Sequence, residues 1–414
     1  MKILMAQTFH YYRGGDATSM FSLTRLLEER GHEVIHFAME HPENLPCPTS
    51  GYFSPGIDFP ALLEDFSLSS AWKVSRGSIH NREARRRIAR LADDAKPDIA
   101  HFHNIHGHLT TSIIEPLRMR GIPVAWTVHD YRLVCPNTTF LSGGEICERC
   151  LPARYWNVVL HRCKKGSAAA SLVAMLSAVW DRASNVPARV GRFIAPSEFL
   201  RGKLIEGGIP RGKIERIPNF VDVESYRADA EEGDYYLYFG RLSPEKGIGT
   251  LIEAAATACG GRLRIAGEGP MLEELKAKAF GECPGRVEFL GFVGGDDLRS
   301  LVERARFVVV PSQWYENLPY SVMESMAAGR PVVASAIGGI PEMVDDGVTG
   351  RLFPAGDAAA LAGAIEELLA DPGLRRSMGR AAREKAERLY APGAHYDATM
   401  KIYNELLGRK SPGD

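Results

Sequence analysis

Two carboxylates stand out in the stretch from Phe307 to Val333, FVVVPSQWYENLPYSVMESMAAGRPVV. Glu316 falls in a loop and Glu324 eight residues on, inside a helical pattern that runs from near Pro319 to Ala328. A helix start presents free backbone N–H groups and the positive end of a dipole, which makes it a seat for phosphate. A carboxylate beside such a seat does not hold the phosphate. It accepts hydrogen bonds from hydroxyls, which points to a sugar: Glu316 to the hydroxyls of a transferred sugar, Glu324 to those of a ribose. Taken singly, each Glu is more often an ordinary solvated residue.

The cations that would complete such a site lie upstream. Arg241 and Lys246 sit in Gly240-Arg241-Leu242-Ser243-Pro244-Glu245-Lys246-Gly247. Arg can grip a diphosphate through a bidentate fork and Lys through a point charge. Gly267-Glu268-Gly269-Pro270 is a second glycine loop, a weak signal taken alone. In the first half, Gly14-Gly15-Asp16 follows an apolar run, as glycines do where backbone must approach a ligand. No full G-x-G-x-x-G is present there, which counts against a dinucleotide cofactor. His103, His106 and His129 each fall at or just past the end of an apolar run. Each suits a sugar hydroxyl or a departing phosphate as well as a structural role.

Cys135, Cys147, Cys150 and Cys163 form a third constellation, with one C-x2-C pair. The set suggests a structural zinc site, since four thiolates leave no open position for chemistry. Its spacing matches no standard paired knuckle, and free thiols or a redox pair remain the other readings.

The elements that must position these groups read as alternating strands and helices. Phe307–Val310, a loop, a helix and Pro331–Ala334 make one βαβ unit, with Gly329 and Pro331 ending the helix. Strands are predicted at Lys2–Gln7, Glu33–Phe37, Pro97–His103, Ile122–Val128, Phe193–Ala195, Tyr235–Phe239, Arg262–Ala266 and Val287–Leu290. Helices are predicted at about Ala17–Arg30, Arg82–Ala95, Ser167–Ala183, Ala358–Tyr390 and Ala394–Leu407. Residues 40–80, rich in Pro, Ser and aromatics, read as a long excursion. Arg82, Arg85, Arg86, Arg87 and Arg90 form a basic helix face. That face, and the stretch Arg149–Lys165 with Trp156, are ordinarily solvated surface. The sharper reading is peripheral contact with a membrane or an anionic acceptor.

The 414 residues, 45% hydrophobic and 24% charged, are enough for two domains of about 200 residues or three of about 140. A net charge of −1 gives no global basic field for nucleic acid or acidic lipid, and no nucleic-acid partner is expected. The N-terminus does not read as a signal peptide, and no run reaches the ~18 apolar residues of a membrane span. Seven Cys, an odd number, argue against a disulfide framework. The expected location is cytoplasmic, including the inner face of the membrane.

Glu316-x7-Glu324 followed by Met326-Ala327-Ala328-Gly329-x-Pro331-Val332-Val333 resembles the signature of family 4 retaining glycosyltransferases, the glycosyl transferases group 1. Gly240–Gly247 is similar to the family's "GRL…KG" loop, and His129-Asp130 to its "HD" position. Asn219-Phe220-Val221-Asp222 is similar to its "NGVD" turn, with Phe220 in place of the usual Gly. The resemblance implies an α/β GT-B fold, two Rossmann-like domains facing across a cleft. These would be an acceptor-binding domain over residues 1–222, with 391–414 returning to it, and a nucleotide-sugar-binding domain over 223–390.

It also implies a sugar moved from an α-linked UDP- or GDP-sugar to a glycan or lipid-linked acceptor, in envelope polysaccharide or glycolipid synthesis, with no cofactor for catalysis. Glu316, His129, Arg241 and Lys246 would be catalytic. Donor contacts would come from Gly14, Gly15, Arg241, Lys246, Gly267, Glu268, Phe292, Val293, Asn317, Leu318, Pro319 and Glu324. Rival readings are an inverting GT-B enzyme with Asp16 or His103 as base, a non-catalytic nucleotide-sugar-binding protein, and a zinc-dependent nucleic-acid binder.

Overall fold

A computed structural model of the chain describes residues 1–56, 77 and 79–409. The remaining residues of the excursion expected over 40–80 lie outside those described. The chain divides into two units. One comprises Met1–Gly143, Cys147–Ile217 and Tyr396–Asp414; the other comprises Gly144–Ile146 and Pro218–His395.

The first unit runs β1 (Lys2–Ala6), α1 (Gly15–Glu29), β2 (Glu33–Phe37), α2 (Arg82–Ala95), β3 (Ile99–Phe102), α3 (Ile114–Arg118) and β4 (Val124–Thr127). β5 (Leu141–Ser142) follows, with β6 (Glu145–Ile146) in the short stretch grouped with the other unit, then α4 (Asn157–Leu160), α5 (Ala168–Ala183), α6 (Val186–Arg189), β7 (Arg192–Ala195), α7 (Glu198–Glu206) and β8 (Ile214–Arg216). Its six-stranded sheet has the order β2-β1-β3-β4-β7-β8, parallel throughout. β1, β3 and β4 are almost wholly buried, which is why their residues read as continuous apolar runs and not as alternating ones.

The second unit runs β9 (Tyr235–Phe239), α8 (Ile248–Thr257), β10 (Arg262–Ala266), α9 (Leu272–Glu282), β11 (Val287–Gly291), α10 (Gly295–Glu303), β12 (Val308–Val310) and α11 (Tyr320–Ala327). It continues through β13 (Val332–Ser335), α12 (Ile340–Met343), β14 (Gly350–Phe353), α13 (Ala358–Ala370) and α14 (Pro372–Leu389). Its sheet order is β11-β10-β9-β12-β13-β14, again all parallel. One apolar core, around Leu237, Val308, Met323 and Met326, covers one face. A second, around Tyr236, Leu251, Ile265 and Phe307, covers the other. Alternate residues of each strand thus feed opposite cores.

The last part of the chain differs from expectation at one point. The single helix predicted from Ala358 to Tyr390 is two helices. Asp371 stands between them, and its carboxylate accepts from the Leu374 amide at 2.9 Å while Pro372 opens the new helix.

The final helix, α15 (Pro392–Leu406), packs on the first sheet. The Tyr403 hydroxyl meets His101 Nδ1 at 2.6 Å, Arg192 pairs with Glu405 at 2.9 Å, and the Tyr396 hydroxyl meets His32 Nε2 at 2.9 Å. Gly191 permits this approach, since a Cβ there would lie 2.6 Å from Leu406.

Tyr403 is fully buried. Tyr403→Phe is expected to cost about 1–2 kcal/mol and Tyr403→Ala about 3–5 kcal/mol. Urea unfolding followed by circular dichroism reads both.

Candidate active site

In a sheet of order 3-2-1-4-5-6 the connections leave in opposite directions at one place, and the loops at the carboxyl ends of the two strands there open a crevice. In the second unit that place lies between β9 and β12. The loop after β9 carries Arg241 and Lys246, and the loop after β12 carries Glu316. The structure brings two of these together: Lys246 Nζ lies 2.7 Å from Glu316 Oε1.

The loops reach this contact because their backbones nearly touch. Gly247 has φ 69°, and a Cβ there would sit 1.9 Å from the Pro311 carbonyl oxygen. Gly338 has φ 61°, and a Cβ there would lie 2.4 Å from the Glu316 carbonyl oxygen. The next amide, Gly339 N–H, donates to that same oxygen at 2.8 Å. Gln313 N–H donates to the Glu245 carbonyl at 2.8 Å, and its side chain donates to Thr250 Oγ1 at 2.7 Å. Gly267 and Gly269 do the same for the loop after β10: a Cβ would meet Gly240 O at 1.9 Å and Leu242 O at 2.1 Å respectively.

Glu316 is 6% exposed. Burial alone would push its pKa up. The charge of Lys246, together with hydrogen bonds from Lys246 and Ser312 and the nearby Trp314 indole, outweighs burial and holds the carboxyl below its ordinary value. Ser312 Oγ donates to Glu316 Oε1 at 2.7 Å, and Lys246 Nζ sits 5.2 Å from the centre of the Trp314 ring. Ser312 and Trp314 carried no signal of their own in the sequence, where Ser312 reads only as a strand stop.

Glu324 behaves in the opposite way. Burial raises its pKa to about 7, with Arg299 opposing. Arg299 also lies 5.7 Å from the Tyr226 ring, so Arg299, Tyr226 and Glu324 form one cluster that sequence spacing did not reveal. The helix that carries Glu324, α11, starts at Pro319, whose side chain offers no acceptor to cap it.

Arg241 is exposed and forms no ion pair among the described residues. Glu268 is exposed, Phe292 is 77% exposed and Val293 half-buried after β11. Leu318 is turned into the core, so only its backbone faces outward, while Asn317 is half-buried. Phe220, standing where a Gly was expected, keeps φ outside the left-handed region. Its ring packs 4.6 Å from His395.

In the first unit the corresponding reversal lies between β1 and β3. Asp16, at the start of α1, accepts from Asn104 Nδ2 at 3.3 Å, and Asn104 follows β3. Gly14 is the N-cap of α1 with an extended φ of 175°, a conformation open to any residue. His103 Nδ1 and His129 Nε2 are 2.9 Å apart with rings stacked at 5.1 Å, and His101 stacks on His103 at 4.7 Å. Burial lowers the His129 pKa to about 4, with Asp16 pulling the other way. His106 is also pushed well down by burial.

The zinc expectation is corrected. Cys135, Cys147, Cys150 and Cys163 come near one another. Yet among the described residues no group of three or more His, Cys, Asp or Glu side chains is placed to hold a metal ion. Cys150 is buried against Tyr155, Val158 and Ala178, and its pKa is pushed up to about 12, first by burial and then by the other three thiols. Cys163 Sγ donates to Ser142 Oγ at 3.6 Å. The loop is held by this apolar cluster and by backbone bonds such as Cys147 N–H to Phe140 O at 2.7 Å and Cys163 N–H to Val158 O at 3.0 Å.

Two Rossmann-like units, each with a loop crevice at its strand reversal, define the class of the chain. Residues 13–225 match the description Glycosyltransferase Family 4, and residues 225–385 match Glycosyl transferases group 1. The glycogen synthase of Mycobacterium tuberculosis is 36% identical over 406 residues, 94% of this chain and 91% of that protein. The alpha-D-kanosaminyltransferase of Streptomyces kanamyceticus is 29% identical over 374 residues, 85% and 88% of the two chains. The crystal structure of Anabaena HepE in complex with UDP superposes with a TM-score of 0.67 at 18% identity, covering 98% of this chain and 100% of that one. The chain belongs to family 4 of the glycosyltransferases. It has the GT-B fold, and it is a retaining enzyme that uses a nucleotide-sugar donor.

Glu324 supplies a test of the electrostatics. Its folded pKa of about 7 stands above its ordinary 4.5, so the folded unit keeps a proton that the unfolded chain has released. Stability is full below the lower value and falls as pH rises towards the upper one, by on the order of 3 kcal/mol. Urea unfolding of wild type against Glu324→Gln, from about pH 5 to about pH 8, should show that slope in the wild type and lose most of it in the variant.

Proposed function

We propose that the second unit seats the donor's diphosphate between Arg241, Lys246 and the start of α11, with Glu316 gripping the transferred sugar and Glu324 the ribose. The observation that carries this is the Lys246–Glu316 contact of 2.7 Å beside an uncapped helix start. A buried carboxylate held ionised by one lysine is a fixed acceptor for sugar hydroxyls, and that lysine is a fixed cation for phosphate. Gly267, Glu268, Phe292, Val293, Asn317, Leu318 and Pro319 supply the remaining donor contacts. Exposed Phe292 offers a ring face to the base. In the first unit, Gly14 and Gly15 are donor-binding and His129 catalytic on the family resemblance alone.

In the reaction the bond between the anomeric carbon and the phosphate oxygen breaks. The acceptor oxygen bonds to that carbon on the same face, and the acceptor's proton passes to the departing diphosphate. The protein's share is electrostatic. Arg241, Lys246 and the α11 amides hold charge as it builds on the leaving group. The diphosphate carries uridine or guanosine, and the UDP complex of HepE supports the former. The acceptor is a glycan or lipid-linked sugar in envelope polysaccharide or glycolipid synthesis, a reading that rests on family grounds.

A thermal-shift panel of nucleotide sugars identifies the donor. With that donor, Glu316→Gln should lower transfer by about a hundredfold or more and leave nucleotide affinity within about threefold. Arg241→Ala should weaken binding of the nucleoside diphosphate by about tenfold in calorimetry. An unchanged affinity would remove Arg241 from the phosphate seat.

A further inference from the structure

Helix α5 is amphipathic in the wrong sense for a helix packed on its own domain. Its buried residues are small: Ser171, Ala174, Ser177 and Ala178. Val173 and Met175 are half-buried, Met175 against the Cys150 cluster, but four large apolar residues, Leu172, Leu176, Val179 and Trp180, recur at spacings of three and four and face outward. Trp156 and Leu160, at the two ends of α4, are exposed too, and α4 packs along α5. The exposures of these six side chains run from 40% to 71%. Scattered single apolar residues on a surface mean little, but an apolar ridge along one helix face is a contact surface.

The inner face has a polar neighbour. Arg132 lies against it and donates to Ser177 Oγ at 2.7 Å and to Ala174 O at 3.5 Å, so this face meets a polar side chain. The outward residues are exposed, so packing does not explain why they are apolar.

Cations border the ridge. Arg154, Arg162 and Lys165 are exposed around α4 and the start of α5, and none is in an ion pair among the described residues. The acids nearby are already engaged: Asp181 of α5 accepts from Thr111 at 2.6 Å, and Glu148 is bound by Lys203. At the other end the Trp180 ring lies 5.9 Å from His80, just ahead of α2. There Arg82, Arg85 and Arg86 line a pocket with Met119, which is 70% exposed, and Arg86 is paired with Glu83 at 3.3 Å. The predicted basic face of α2 is narrower than five arginines, because Arg87 is turned to Glu83, Glu40 and the Phe53 carbonyl.

We propose that this surface of the first unit, the apolar ridge of α4 and α5 with the arginines of α2 at its end, docks on an anionic lipid bilayer. Apolar side chains flanked by unpaired Lys and Arg are what an interfacial helix presents to acyl chains and acidic headgroups. The occupant is chosen by charge complementarity: an apolar protein partner would leave Arg154, Arg162 and Lys165 unanswered, whereas an acidic headgroup layer answers them. The proposal is independent of the donor and acceptor assignments above.

The test is co-sedimentation of the full chain with phosphatidylglycerol vesicles and with phosphatidylcholine vesicles. Wild type should bind the anionic vesicles, release with added salt, and bind the zwitterionic ones far less. Leu172→Gln/Leu176→Gln and Arg82→Gln/Arg86→Gln change exposed residues of the first unit, none of them in the donor loops. Each should weaken partitioning to phosphatidylglycerol by about tenfold or more, with nucleotide affinity unchanged. No binding of wild type to phosphatidylglycerol overturns the proposal, as does equal binding of wild type and both variants. A dimer in analytical ultracentrifugation that the leucine pair dissociates, without vesicle binding, assigns the ridge to a second copy instead.

Discussion

Everything at the donor loops depends on backbone meeting backbone. Four connections leave the carboxyl ends of β9, β10, β12 and β13, and at each crossing a carbonyl oxygen occupies the space where a side chain would begin. Gly247 against Pro311, Gly267 against Gly240, Gly269 against Leu242 and Gly338 against Glu316 are the contacts. A Cβ at any of them would overlap main-chain atoms, which cannot swing aside as a flexible side chain can. The glycines let the loops close into one layer. That layer sets Lys246 and Glu316 face to face although 70 residues separate them in sequence.

Two carboxylates a short way apart in sequence end in contrasting states. Glu316 has a lysine, a serine hydroxyl and an indole around it and stays ionised. Glu324 has burial and one opposing arginine and holds its proton towards neutral pH. The difference comes from neighbours and not from depth, since both are removed from water. An ionised group accepts hydrogen bonds only, whereas a protonated one can also donate. The two positions therefore make different demands on what binds there.

Much of the scaffold was legible in the chain. β9, β10 and α2 carry the boundaries expected from their apolar runs, because a strand buried on both faces has to be continuously apolar and a helix on a sheet has to repeat near every third or fourth residue. Local signals also marked Lys246 and Glu316, each near a glycine or proline at the end of a strand. What sequence could not show was convergence. Ser312, Trp314, Arg299 and Tyr226 have ordinary spacings and gain meaning only where the fold sets them. The four cysteines do converge, as their spacing suggested, yet among the described residues they are not placed to hold a metal ion. The outward apolar face of α5 was hidden for a related reason, as periodicity gives a helix two faces and leaves open which one is turned to the core.

The paired rings of His103 and His129 carry one further consequence. Two imidazole nitrogens 2.9 Å apart, when both rings are neutral, must share a single hydrogen between them, so the tautomer of one ring dictates that of the other. If His103 Nδ1 holds it, His129 keeps its own hydrogen on Nδ1; if His129 Nε2 holds it, that nitrogen is bare. Whether His129 offers a hydrogen or a lone pair from its far side is thus decided one layer down, in a ring that is 1% exposed.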